Sequence, residues 1–90
     1  MLKIDFLKQA DRFLRKLPGK HRKQIVQKAL GLAVDPTPND SKTLKEFTLY
    51  HRADIGEYRI IYRFSNTLLT IVIIGKRNDD EIYRKFKRLF

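Results

Sequence analysis

Apolar and polar positions alternate over residues 2–6 (LKIDF), the two-residue period of a short strand. From Phe6 the period lengthens. Phe6, Ala10, Phe13, Leu14 and Leu17 recur at helical spacing, with Lys8, Arg12, Arg15 and Lys16 on the opposite face. Pro18-Gly19 stops this helix. A second follows, with Ile25, Ala29, Leu30 and Ala33 as its apolar stripe and Lys20, Arg22, Lys23 and Lys28 on its wet side. Two prolines and several turn formers across residues 35–40 close it. A tight Pro-Gly joint between two helices predicts an antiparallel hairpin.

Beyond residue 42 the pattern becomes that of strands. Residues 44–52 predict a strand, Ile55-Gly56 a turn or bulge, and residues 57–64 (EYRIIYRF) a second strand. A hairpin connection at 65–67 leads into a third, residues 68–75 (LLTIVIIG). Asn78 is the expected N-cap of a last helix, with Asp79 and Asp80 in its first turn and Glu81 three residues on. That helix sets Ile82, Phe86, Leu89 and Phe90 on one face and carries Arg84, Lys85, Lys87 and Arg88 late, where cations suit the dipole. The predicted order is β-α-α-β-β-β-α. This is an α+β fold in one domain, residues 1–90, with the N-terminal helical hairpin packed on a mainly antiparallel sheet. Tyr58, Ile60, Tyr62 and Phe64 should face the hairpin, and Glu57, Arg59, Ile61 and Arg63 the other side. The strand at 68–75 is apolar on both faces, so it is central and covered on both sides. The C-terminal helix, or a partner, then lies on or near the second face.

Composition narrows the function. Twenty Lys+Arg against ten Asp+Glu leave a net charge of +10, and 42% of the chain is apolar, enough for a core rather than a disordered basic tail. The expected partner is a polyanion: RNA, DNA or an acidic protein. No cysteine is present, so there is no disulfide framework and no thiolate zinc site. His21 and His51 stand thirty residues apart in sequence and do not suggest a metal cluster, and no cofactor is expected. The longest apolar run is far short of a membrane span, and the charged N-terminus is unlike a signal peptide, so a cytoplasmic protein with no membrane partner is expected. Tyr50-His51-Arg52, Tyr58-Arg59, Tyr62-Arg63, Lys76-Arg77 and Tyr83-Arg84 interleave aromatic and basic side chains. Bases stack on aromatic faces and phosphates pair with cations, so this mixture suits single-stranded nucleic acid, with Arg63, Lys76 and Arg84 among the contacts. The same tyrosines and charges also make ordinary strand residues and a solvated surface.

The stretch His51-Arg52-Ala53-Asp54-Ile55-Gly56-Glu57-Tyr58-Arg59-Ile60-Ile61-Tyr62 resembles the R-x-x-x-G-x-Y-R-hydrophobic-hydrophobic-Y signature of RelE/ParE-superfamily toxins. Gly75-Lys76-Arg77 followed by Glu81-Ile82-Tyr83 is similar to that family's closing segment. Phe6 to Pro18, and Asp35-Pro36 to Leu44, look like its upstream stretches. The resemblance runs in order over nearly the whole chain. It implies the toxin of a type II toxin–antitoxin pair, with the predicted element order as its fold. In the RelE branch it implies entry into the ribosomal A site and metal-independent cleavage of mRNA, by attack of a 2′-hydroxyl on the adjacent phosphate. The implied partners are a cognate antitoxin, the ribosome and its mRNA, with operator DNA contacted through the antitoxin.

The resemblance also implies roles. Arg59 and Arg77 match arginines able to clamp the scissile phosphate, where preorganised cations lower the barrier most. Tyr83 matches a tyrosine that stacks on or orients the neighbouring base. The strand before the glycine, where family members place basic residues, offers Lys45, His51 and Arg52, with Asp54 where a second basic residue is common. Of these, His51 has the pKa suited to a general base. Structural alternatives stand beside these roles. Arg59 can pair with Glu57 or Glu46, Tyr83 can belong to the core beside Phe86 and Phe90, Arg77 can flank a helix start, and His51 can be an ordinary surface residue. Two other functions also remain open: a ParE-type gyrase inhibitor, and a non-catalytic nucleic-acid-binding member of the fold. The antitoxin is expected to cover or displace the last helix over a groove lined by Ile61, Val72, Phe86 and Phe90.

Overall fold

A computed structural model of the chain describes residues 1–78 and 80–89. The expectations placed on Asp79 and Phe90 lie outside the described residues. The elements are β1 (Lys3–Phe6), α1 (Lys8–Arg15), α2 (Gly19–Val34), β2 (Lys42–Thr43), β3 (His51–Ile55), β4 (Tyr58–Phe64), β5 (Leu68–Lys76) and α3 (Glu81–Arg88). They form an α+β fold around one five-stranded sheet of order β1-β5-β4-β3-β2. β1 runs parallel to β5, and the other pairs are antiparallel.

Two apolar clusters sandwich the sheet. On one face Ala10 and Leu14 of α1 and Ile25, Ala29, Leu32 and Ala33 of α2 pack on Ala53, Tyr58, Ile60, Tyr62, Leu69, Ile71 and Ile74. On the other, Ile82 and Phe86 of α3 pack on Leu44, Ile61, Val72 and Ile73. β5 is buried continuously from Leu69 to Gly75, as its two-sided apolar pattern requires. A register shift opposite Ile61/Tyr62 explains why the neighbours Val72 and Ile73 both join the α3 cluster. An extra residue in one strand breaks the alternation and turns two successive side chains to one face. Phe86 is 1% exposed and meets Phe47 and Tyr50 edge-on, with ring centroids 5.0 and 4.9 Å away. Burying such a ring contributes about 1.5–3 kcal/mol from area alone.

Several expectations are corrected. α1 starts at Lys8 rather than Phe6, because β1 claims Phe6 opposite Ile71. In α2 the stripe runs through Leu32, and Leu30 is exposed. Most of the strand expected at 44–52 is a compact turn. Leu44 N–H donates to Tyr50 O and Tyr50 N–H to Phe47 O, so these groups are satisfied locally and not in a ladder. Only Lys42–Thr43 and His51–Ile55 pair with neighbouring strands. Phe64 reaches the rim and is 37% exposed. Asp80, not Asn78, takes the N-cap position of α3, without a side-chain capping bond. With α3 in place, Ile61 and Val72 of the sheet are buried together with Phe86 of α3, and displacement of that helix by an antitoxin remains an expectation.

Candidate phosphate-binding site

The β3–β4 hairpin turns at Gly56-Glu57, with Gly56 at φ +56°, a left-handed conformation that costs glycine nothing. This two-residue turn places Asp54 directly across from Arg59. Both lie on the α3 face of the sheet, since Ala53 and Ile60 beside them face α2. Arg59 Nε donates to Asp54 Oδ1 at 2.6 Å and Nη2 donates to Oδ2 at 3.1 Å, a two-toothed ion pair. Nη1 donates to the Tyr83 hydroxyl of α3 at 2.6 Å. The Arg59 guanidinium carbon also lies 5.8 Å from the centre of the Tyr83 ring. Three elements thus hold one guanidinium. Its side chain is 16% exposed and that of Asp54 33%, so the pair is more shielded than a surface ion pair.

The electrostatics follow from this geometry. The hydrogen bond from Arg59 holds the Asp54 carboxyl below its ordinary pKa against the opposing effect of burial, and the positive charges of Arg59, Arg52 and Arg77 add to it. Asp54 in turn raises Arg59 further above its already high value. Arg52, Arg59 and Arg77 therefore share one electrostatic neighbourhood with the Asp54 carboxylate. Arg77 is anchored by its backbone, with N–H donating to Glu57 O at 2.9 Å, and its Nη1 donates to Gly56 O at 3.3 Å. It sits on the hairpin turn and precedes α3 without capping it.

The structure brings Arg59 and Tyr83 into contact, with Arg52 and Arg77 acting on the Arg59–Asp54 pair through their charge. Lys45 lies beside them, lining with Leu44, Glu46, Phe47, Tyr83, Phe86 and Lys87 a pocket of about 200 Å³. Arg84 is exposed on α3. Arg63 is exposed toward the far end of β4, among Leu49, Phe64, Ser65, Leu68 and Thr70. Lys76 is exposed at the end of β5 opposite Tyr58.

His51 is not brought to this cluster. It pairs across from Tyr62 and stacks on that ring at 5.5 Å and 25°, and lies 5.1 Å from the Phe64 ring. Tyr62 belongs to the helical-hairpin face, so His51 stands on the opposite side of the sheet from Arg59. Partial burial there lowers its pKa. The ion pair of Arg59 is with Asp54, and not with Glu57 or Glu46, the two acids the structural alternative named. His21 Nδ1 and the Tyr58 hydroxyl share a hydrogen bond of 2.6 Å, a structural contact that no sequence pattern indicated. The Asp54 pairing was readable, because a two-residue turn at 56–57 sets 55 against 58 and 54 against 59.

A preorganised guanidinium beside a phenol, with further cations close by, can hold a phosphodiester and seat the adjoining base. No protein-family model and no curated protein matches the sequence. Solved structures do. The mutant RelE toxin of E. coli in its free state superposes with a TM-score of 0.80 at 21% identity, covering 99% of this chain and 98% of that one. The chain has the RelE toxin fold. A chain of the RelBE2 toxin–antitoxin complex of Mycobacterium tuberculosis gives 0.74 at 29% identity, over 84% of this chain and 98% of that one. A chain of the RelB–RelE antitoxin–toxin complex of Methanococcus jannaschii gives 0.68 at 25% identity, over 96% and 99%. The RelE-like likeness drawn from the motifs therefore extends to the whole tertiary structure. Among the described residues, no helix is long and apolar enough to cross a membrane.

Proposed function

We propose that this RelE-like chain is the toxin of a type II toxin–antitoxin pair and an endoribonuclease that cuts mRNA in the ribosomal A site. The observation that carries the reading is Arg59, fixed against Tyr83 with Arg52 and Arg77 in electrostatic reach. In this reading a 2′-hydroxyl attacks the adjacent phosphorus, the bond to the 5′-oxygen breaks, and a 2′,3′-cyclic phosphate and a 5′-hydroxyl result. The pentacoordinate phosphorane gains negative charge, which Arg59 and Arg77 neutralise. Arg77 also lies on an accessible turn where it can stabilise the departing 5′-oxygen. Tyr83 orients the base beside the cut. Arg52, Lys45 and Arg84 hold flanking phosphates, and Arg63 and Lys76 extend the basic surface toward ribosomal RNA. His51 has no place in this arrangement. Activation of the 2′-hydroxyl then rests on the cationic field and on the ribosome.

The +10 charge and the complexes formed by the RelE relatives support a cognate antitoxin as partner, with an acidic segment suited to cover the arginine cluster. The complex would contact operator DNA through the antitoxin, and the site of action is the cytoplasm, where the ribosomes are. One observation favours a second reading, as a gyrase inhibitor or a non-catalytic binder: the Asp54 carboxylate occupies the fork of Arg59. Message on purified ribosomes decides between them. The proposed function requires cleavage that depends on ribosomes and persists in EDTA. An intact message together with inhibited supercoiling by purified gyrase would replace it with the second reading.

A further inference from the structure

The carboxylate at position 54 is out of keeping with its surroundings. The chain carries twice as many bases as acids, and the cluster around Arg59 is the face proposed to meet RNA. Asp54 nevertheless points its two oxygens at Arg59 Nε and Nη2. Those adjacent donors form one of the edges by which a guanidinium grips a phosphate, and a carboxylate fits it in the same two-toothed way. Tyr83 takes a bond from Nη1, so three of the five guanidinium N–H groups are committed inside the protein. The pair is short, aligned across the strands and partly shielded from water, which makes it a standing occupant of that edge rather than a passing contact.

We propose that Asp54 is a built-in competitor for the phosphodiester at Arg59, an internal anion that keeps the resting site closed and sets its affinity for nucleic acid low. The proposal rests on the reading of this face as a phosphate site. To take hold through both Nε and Nη2, a phosphodiester must displace the carboxylate. While the carboxylate stays, it also repels the incoming charge across a few ångströms. A message held in place by the ribosome meets this barrier at high effective concentration, whereas free RNA meets it at its bulk concentration. Asp54 thereby confines action to RNA that is already positioned.

The test uses the full chain and a single-stranded deoxyribonucleotide hexamer, which binds as a phosphodiester and lacks the 2′-hydroxyl needed for cutting. Asp54→Asn keeps the shape and an oxygen for Nε but removes the charge. It should bind the hexamer about ten-fold more tightly, the effect of one charge-assisted bond no longer in competition. Its plot of log affinity against log salt should be steeper by about 0.7, one more effective phosphate contact. In an Arg59→Gln background the same change should have no such effect. Equal or weaker binding by folded Asp54→Asn, or an equal gain in the Arg59→Gln background, overturns the proposal. If Asp54→Asn fails to fold, the wild-type chain still decides. Titrating the hexamer while following the Arg59 Nε and Asp54 carboxyl resonances should move both together, and movement of Arg59 with Asp54 unchanged rejects displacement. Ribosome-dependent cleavage, measured in parallel, separates the two ideas. Cutting with unaltered hexamer affinity leaves the nuclease and removes the competitor. Tighter hexamer binding without cutting leaves the competitor on a non-catalytic binder.

Discussion

Replacing Gly75 with alanine should lift α3 from the sheet. Gly75 pairs with Arg59 across the β4–β5 ladder, and α3 crosses directly above it. A methyl group added there would stand 3.1 Å from Ile82 Cβ, 3.3 Å from its Cγ1 and 3.4 Å from its Cδ1. Carbon atoms prefer about 3.5–4.0 Å, so the contacts with Cβ and Cγ1 are too close and the one with Cδ1 sits at the edge of ordinary contact. A rotamer change can move the outer two atoms but not Cβ, which is tied to the helix backbone. The helix must therefore shift by a few tenths of an ångström. Overpacking of this kind costs about 1–3 kcal/mol, and the lower entropy of the unfolded alanine chain offsets about 0.4–1 kcal/mol. At the middle of both ranges the net loss is about 1.3 kcal/mol, which should lower the melting temperature by roughly 5–10 °C in a domain this small. Thermal denaturation followed by circular dichroism measures it. The same shift should weaken the 2.6 Å bond between Arg59 and Tyr83, visible as a change in the Arg59 side-chain resonances. Gly31→Ala is the control of opposite sign, since its added carbon meets nothing within 4 Å and its place within α2 favours alanine. A Gly75→Ala protein as stable as wild type, with the Arg59 resonances unmoved, would refute the close-packing argument.

Other outcomes follow from the same structure. Tyr83→Phe keeps the ring and removes the acceptor for Arg59, so denaturant unfolding should show a loss of about 1 kcal/mol with the fold intact. Gly56→Ala forces a side chain onto a φ of +56° and 3.1 Å from Gln24 Oε1, and should cost about 1 kcal/mol or more by the same measurement. Because the folded-state pKa of Asp54 lies below its ordinary 3.8, its ion pair contributes fully above that pH and is lost as pH falls through the folded value. The stability gap between wild type and Asp54→Asn should therefore be flat near neutrality and close in strong acid. His51 acts in the same sense at higher pH, through burial rather than an ion pair. Burial lowers its pKa from 6.5, so the unfolded chain binds the extra proton and stability falls as pH drops from about 6.5 through the folded value. His51→Phe, which keeps the stacking on Tyr62, should flatten that part of the pH profile.

The parts of the fold carried by local pattern were legible in the sequence, and the parts carried by distant pairing were not. β4 and β5 announce themselves through alternation and a continuous apolar run, and their faces came out as expected for Tyr58, Ile60, Ile61 and Tyr62. The parallel pairing of β1 with β5 joins segments about 65 residues apart, and no local period reports it. Residues 44–50 misled because apolar side chains suggest a strand. Leu44, Phe47 and Tyr50 in fact recur every third residue, a spacing that suits a turn feeding one cluster rather than a ladder. At the site, Arg59, Arg77 and Tyr83 were named through motif resemblance, and the structure places them near one another. His51 was chosen from the basic residues of the preceding strand by its pKa. Strand alternation already separates His51 and Ala53 from Arg52 and Asp54, so its position on the far face was available once β3 was correctly bounded.

In the proposed function the Arg59–Arg77–Tyr83 face cuts RNA. Primer extension on a defined message in purified ribosomes is the decisive test, comparing wild type with an Arg59→Ala/Arg77→Ala chain whose folding is checked by its circular dichroism. Wild type should give discrete stops within the A-site codon, none without ribosomes, and the folded double variant none at all. An intact message with wild type, or identical stops with the double variant, would contradict the proposed function.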